Sequence, residues 1–220
     1  MTNELWWYVA RSCGIVAWVL LSASVLWGLL LSSKGFRKSV SPAWLLDLHR
    51  HLGGLGVVFI ALHLLGLFQD RFVHFGVTQL FVPLASQWRP GAVSWGIAGL
   101  YLLLAVELTS LARRRLPARV WRWTHGLSFF VFVSSTVHLF TAGSDARTSA
   151  LRWSAITVSA VVGLAIALRI QSSRRARART RDRMDEARRM AAARRAPTAA
   201  ERFGLESAAD VAKEGLQPVG

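Results

Sequence analysis

The sequence predicts an all-α integral membrane bundle of five transmembrane helices, and three observations predict it. Five apolar runs, at residues 12–31, 44–68, 92–111, 120–141 and 151–170, approach the ~20 residues that carry a helix across a ~30 Å hydrocarbon core. Hydrophobic residues make up 53% of the 220, mean hydropathy is +0.35, and charge is gathered into short blocks between the runs. No run sustains the period-two alternation of a membrane β-barrel.

The first run contains the lone Cys13, so an internal disulfide and any cysteine-only metal or iron–sulfur site are excluded. Residues 1–8 carry Glu4 and no basic n-region, and the run is long for a signal sequence. It is expected to be a retained helix. The net charge of +15 raises the possibility of nucleic acid, but the basic residues cluster at run ends and in the tail, as a membrane protein requires. One set of flanks holds Lys34, Arg37, Lys38 and Arg50, then Arg113, Arg114, Arg115, Arg119 and Arg122, then the Arg-rich tail. The opposite set holds Glu4 and Arg11, then Asp70, Arg71 and Arg89, then Asp145, Arg147 and Arg152. The positive-inside rule therefore puts the N-terminus outside and the C-terminus in the cytoplasm of, most simply, a bacterial plasma membrane.

The ten tryptophans agree with these boundaries. Trp6, Trp7, Trp88, Trp95 and Trp153 fall near the outer interface, and Trp44, Trp121 and Trp123 near the inner one. Trp18 and Trp27 are expected to face lipid. Residues 69–91, with Pro83 and Pro90, form no span and read as an outer segment capping the bundle. The expected domain division is 1–170, the bundle, and 171–220, a cytoplasmic tail. Within the tail, 173–195 is Arg- and Ala-rich, either a helix on anionic headgroups or a solvated segment, and 197–220 is expected to be disordered.

Five of the six histidines lie in or at the ends of these runs, where an ionisable side chain is costly and usually functional. His49 and His63 are 14 residues apart on the second run, and His125 and His138 are 13 apart on the fourth. Both runs cross in the same direction, so two helices offer two level pairs of imidazoles about 21 Å apart. That is the donor set of two stacked bis-histidine b haems, held between the second and fourth helices. On the second run His63 lies only about 40° from His49, and Gly53 and Gly56 fall on the same face. Their missing side chains would admit a porphyrin or a neighbouring helix. On the fourth run an ideal helix leaves His138 about 140° from His125, an offset that Ser134, Ser135 and Thr136 could relieve by bending it. His51, the main rival ligand, fits the shared face less well and reads as an interfacial or propionate-contacting residue. His74 reads as a structural hydrogen-bonding group.

Leu48-His49-Arg50-His51-Leu52-Gly53 followed by His63, and Trp121-Arg122-Trp123-Thr124-His125 followed by His138, resemble the two haem helices of the ferric reductase-like transmembrane domain. The resemblance covers residues 41–141 best. It includes ferric reductases, NADPH oxidases and the haem subunit of bacterial methionine sulfoxide repair. It implies two b haems ligated by His49, His63, His125 and His138, with electrons passing from a cytoplasmic donor to an outer acceptor. The larger members carry a sixth span and a flavin and nicotinamide domain. This sequence has no Gly-x-Gly-x-x-Gly, so its electrons are expected from a separate flavoprotein or a quinol.

Arg50 and Arg122 each adjoin an expected inner ligand and are candidate partners for haem propionates, or simply inside charge. Glu107, within the third run, is expected to pair with Arg113 or Arg114, and Asp47 to start the second helix. No catalytic triad, zinc cluster or phosphate loop is found. Two other functions use the same residues: a haem-free transporter or proton channel lined by the histidines, and a structural subunit docking a soluble partner through its tail. The orientation makes a prediction of its own. A reporter that works only in the cytoplasm is active when fused after Gly220, and activity from a periplasm-only reporter there would reverse the topology.

Overall fold

The computed structural model describes residues 2–32, 42–71 and 75–195. The chain divides into two compact units, Met1–Arg169 and Ile170–Gly220. The helices are α1 (Thr2–Leu31), α2 (Pro42–Gln69), α3 (Val77–Phe81), α4 (Pro90–Leu111), α5 (Ala118–Gly126), α6 (Ser128–Ala142) and α7 (Ser149–Arg195), with a short 3₁₀ turn at Ser144–Arg147. Among the described residues five stretches are long and apolar enough to cross a membrane: Glu4–Leu31, Ala43–Gln69, Pro90–Leu111, Ala118–Ala142 and Ser149–Ala192. The protein is an all-helical integral membrane bundle. Its two ends are called outer and inner below, after the orientation that the charges predict.

Small residues set the helix spacing, because lipid offers no hydrophobic force to pull helices together. A Cβ on Gly66 of α2 would meet the Ala10 nitrogen of α1 at 2.8 Å, and one on Gly56 would meet Leu21 at 3.1 Å. Gly99 of α4 similarly lies against Ser134 of α6. α1 is tied to α6 by the Trp18 indole, which donates to Thr136 Oγ1 at 3.0 Å. Trp18 is only 4% exposed and sits in a core with Phe132, Leu139, Ala155 and Val162. It therefore does not face lipid as the sequence suggested, because α1 packs against α2, α6 and α7 together. Ala155 and Val162, seven residues apart, present one face of α7 to that core.

At the outer end, Phe75 and Leu80 of the 75–91 segment pack on Val93 and Ile97 of α4, with Trp88 against them. Arg89 adopts a left-handed conformation (φ 44°) just before α4. Its guanidinium donates to the Thr141 carbonyl at 2.8 Å, fastening the segment to the end of α6. Arg11 of α1 forms a two-pronged ion pair with Asp145 of the 3₁₀ turn, one bond being 2.8 Å.

The fourth span is two helices. Between α5 and α6, the Leu127 amide bonds to Thr124 three residues back. This tighter turn advances about 120° per residue instead of 100°, in the sense that shrinks the angular offset between His125 and His138. The break thus falls just after His125, whereas Ser134, Ser135 and Thr136 lie inside the unbroken α6. α2 starts at Pro42, so Asp47 lies in its second turn instead of opening the helix.

In the second unit the described residues 170–195 are helical. Arg174, Arg181 and Arg188 share one face, while Arg175, Arg179 and Arg183 share another. The apolar stripe of a helix that lies in the headgroup layer is absent over these residues. Lys34, Arg37, Lys38, His74 and the 197–220 segment lie outside the described residues.

The close approach at Gly66 makes a prediction. Gly66→Val destabilises the detergent-solubilised protein by about 1–3 kcal/mol through overpacking against the α1 backbone. Gly54→Val, where an added Cβ meets nothing within 4 Å, leaves it nearly unchanged. Thermal unfolding of the two variants side by side reads the difference, and equal midpoints would refute the packing argument.

Candidate functional site

The four intramembrane histidines come together in two pairs. The His49 and His125 ring centres are 5.9 Å apart with planes at 75°, and those of His63 and His138 are 6.4 Å apart at 80°. α2 supplies one member of each pair, and α5 and α6 supply the others.

What holds each ring is as informative as what it faces. His63 Nδ1 donates to the Ala10 carbonyl of α1 at 2.6 Å, and His138 Nδ1 to the Ala92 carbonyl of α4 at 2.8 Å. His49 Nδ1 donates to the Ser24 carbonyl at 3.1 Å, with Ser24 Oγ at 3.2 Å. A carbonyl can only accept, so in these three rings the proton is on Nδ1 and the Nε2 lone pair is free. His125 is held differently. Its Nδ1 has only Ser110 Oγ, at 3.4 Å, and its face stacks on Trp121 at 5.1 Å and 21°. Arg113 covers the indole of Trp121, 4.3 Å from its centre.

Glycines make room for these rings. A Cβ on Gly14 would meet His63 Nδ1 at 2.9 Å, one on Gly28 would meet His49 Cε1 at 3.3 Å, and one on Gly96 would meet His138 Nδ1 and Cε1 at 2.8 Å. Gly14 and Gly28 are 14 apart on α1, repeating in antiparallel sense the spacing of His63 and His49. That repeat was available in the sequence as a signal. The carbonyls of Ala10, Ser24 and Ala92 were not, since every residue has one.

Between α1, α2, α4 and α6 lies a cavity of about 180 Å³ into which His63 and His138 project. Its walls are mostly apolar, and Trp7, Arg11, Trp88 and Asp145 stand at its outer end.

The remaining residues singled out by sequence are placed as follows. A Cβ on Gly53 would meet Glu107 Oε1 at 3.0 Å, and one on Gly56 would meet Leu21. Arg50 is exposed and pairs with Asp47 at 3.7 Å, and Arg122 is exposed. His51 is exposed, its Nδ1 donating to the Asp47 carbonyl of its own helix. Among the described residues Glu107 forms no ion pair with Arg113 or Arg114, because it extends toward α2 while Arg113 covers Trp121.

The residues fit a metal held in a larger ring. Among the described residues no three of His, Cys, Asp and Glu converge as a closed metal site would need, so each pair offers two nitrogens only. A metal–imidazole bond is about 2.0–2.1 Å, which puts the centres of two trans imidazoles about 6 Å apart. Both observed separations are close to that. Engagement of Nδ1 by a second group is also how ligating histidines are generally oriented.

A helical membrane bundle with two tiers of opposed imidazoles, three of them bonded to main-chain carbonyls, is an arrangement suited to a membrane redox protein. Residues 13–136, more than half the chain, match the ferric reductase like transmembrane component family, and the chain belongs to it. Domains of this kind generally bind haem b and point to electron transfer across the membrane. No curated protein and no solved structure matches the chain.

The glycine seats carry a prediction. Gly14→Ala and Gly96→Ala displace the rings of His63 and His138 and lower the haem bound per purified chain. Gly163→Ala, in open space on α7, does not. Pyridine haemochrome assay of the three variants measures this, and full haem content in Gly96→Ala would show that the ring has room to spare.

Proposed function

We propose that this chain conducts electrons across the membrane as the haem subunit of a ferric reductase-like oxidoreductase. In this reading one b-type haem is ligated by His49 and His125 near the inner end, and a second by His63 and His138 further out. The observation that carries it is the two opposed pairs, each near the spacing of two imidazoles on one metal, with Nδ1 bonded to a carbonyl and Nε2 free in three of the four rings. Bound there, the haems supply one-electron stations about 21 Å apart, dividing a ~30 Å core too thick for a single tunnelling step.

The protein's own contribution is orientation and insulation. The carbonyls of Ala10, Ser24 and Ala92 fix the tautomer and raise the basicity of the nitrogen opposite. The apolar wall of the outer cavity keeps its surroundings dry. Gly53 and Gly56 thin the α2 face between the two tiers, and Arg50 and Arg122 hold positive charge at the inner end. Hydride carries two electrons and each haem accepts one, so a nicotinamide donor requires an intermediary. We assign that part to a separate flavoprotein or to a quinol on the cytoplasmic side, with Arg113–Arg115 and Arg119 as the basic approach surface, and we place the acceptor on the outer side.

The purified protein is expected to show a Soret band and, on dithionite reduction, sharp α and β bands of six-coordinate b haem. His49→Ala or His125→Ala removes mainly the inner haem, and His63→Ala or His138→Ala mainly the outer, so haem per chain falls from two towards one. A colourless preparation from haem-replete cells would sink the proposal. Loss of a haem in His51→Ala, with none lost in His49→Ala, would overturn the ligand assignment.

A further inference from the structure

Two indole N–H groups at the inner end of the bundle are buried and have no hydrogen-bond partner among the described residues: Trp27 Nε1 on α1 and Trp121 Nε1 on α5. Buried donors are nearly always satisfied, and a native exception usually marks a group waiting for something that is not protein. These two are not scattered. Trp27 precedes Gly28, the residue against which His49 sits. Trp121 stacks on His125 itself. Trp121 thus contacts one member of the inner histidine pair, and Trp27 lies one residue along α1 from the seat of the other.

Their surroundings say what they wait for. Indole nitrogen donates and does not accept, so the missing group must bring acceptor atoms. The Arg113 guanidinium over Trp121 favours negative charge there. Both indoles are clamped: Trp27 edge-on to Trp44 at 6.0 Å and 70°, Trp121 between His125 and Arg113. Clamped rings hold their N–H vectors in place at little entropic cost. The arginines that the sequence offered for this role are engaged elsewhere or face outward. Arg50 pairs with Asp47 and Arg122 is exposed.

We infer that Trp27 and Trp121 form a carboxylate site that receives the two propionates of the inner haem, one indole N–H to each, with Arg113 supplying the adjacent positive charge. The inference rests on the inner haem proposed above. It adds the residues that hold that haem's anionic edge, and tryptophans take the place expected of Arg50 and Arg122.

The test uses the full-length purified protein with Trp27→Phe and Trp121→Phe. Phenylalanine keeps the aromatic packing and stacking and deletes only the donor. Haem release to excess apomyoglobin is followed for the inner and outer haems, distinguished by redox titration of their α bands. A hydrogen bond to a charged acceptor corresponds to roughly ten- to a hundredfold in an equilibrium constant. Each Phe variant is expected to release the inner haem faster by about that factor, with the outer haem unchanged. When the protein is reconstituted with the dimethyl ester of haem, whose propionates are neutral, wild type and variants should release the inner haem at nearly the same rate. Wild-type release rates in the Phe variants would overturn the inference. An undiminished difference with the ester would also overturn it, because the indoles would then be acting through packing. Retention of the outer haem reports that each variant is folded, and Trp121→Phe decides the matter should Trp27→Phe lose both. A wild-type protein without an inner haem would instead refute the functional reading and take this inference with it.

Discussion

The bundle depends on one interaction, the hydrogen bond from a histidine Nδ1 to a main-chain carbonyl of the neighbouring helix. A helical carbonyl already accepts one bond from the residue four ahead, but it has a second lone pair. Ala10, Ser24 and Ala92 use it to take an imidazole N–H. In hydrocarbon there is no water to satisfy a stray N–H, so the ring is drawn to this partner and kept there. Each such bond sets the rotation of a helix as well as the tautomer of a ring. α1 is phased against α2 by two of them, near its two ends, and α4 against α6 by the third.

Such a bond requires an edge of the imidazole to come close against the partner helix, and an ordinary side chain there would crowd it. Gly14, Gly28 and Gly96 are therefore part of the same device as the histidines they seat. Gly66 beside Ala10 extends the close approach of α1 and α2 outward. The same economy explains Trp18. Once α1 is held against α2 by its glycines, its far side must cover α6 and α7. A large side chain with one donor fills that space and finds Thr136.

The inner and outer tiers are built differently. The outer rings have short carbonyl bonds and an apolar cavity, with the Arg11–Asp145 pair at its outer end. At the inner tier, His125 relies on a long hydroxyl contact and on stacking with Trp121 under Arg113. The break after His125 has the same origin. A straight helix would carry His125 and His138 on different faces, and the tight turn at Leu127 lets α5 and α6 rotate separately.

The number of spans, the ends of the middle three and the pairing of histidines by depth were legible in the sequence, because these follow from hydropathy and from rise per residue. Both are local properties that a membrane makes one-dimensional. The choice between His49 and His51 was partly legible through helical phase, and the seats at Gly14 and Gly28 were written in a spacing that repeats that of His49 and His63. Tertiary structure alone decided the rest. Trp18 turned inward, Glu107 toward Gly53 and Arg113 over Trp121, because burial of a side chain in a bundle is set by which helices are neighbours. Carbonyl partners are invisible in sequence because every residue has one. Trp27, which the sequence suggested would face lipid, and Trp121, one of the interfacial tryptophans, are set apart only by the packing that buries their N–H groups without a partner among the described residues.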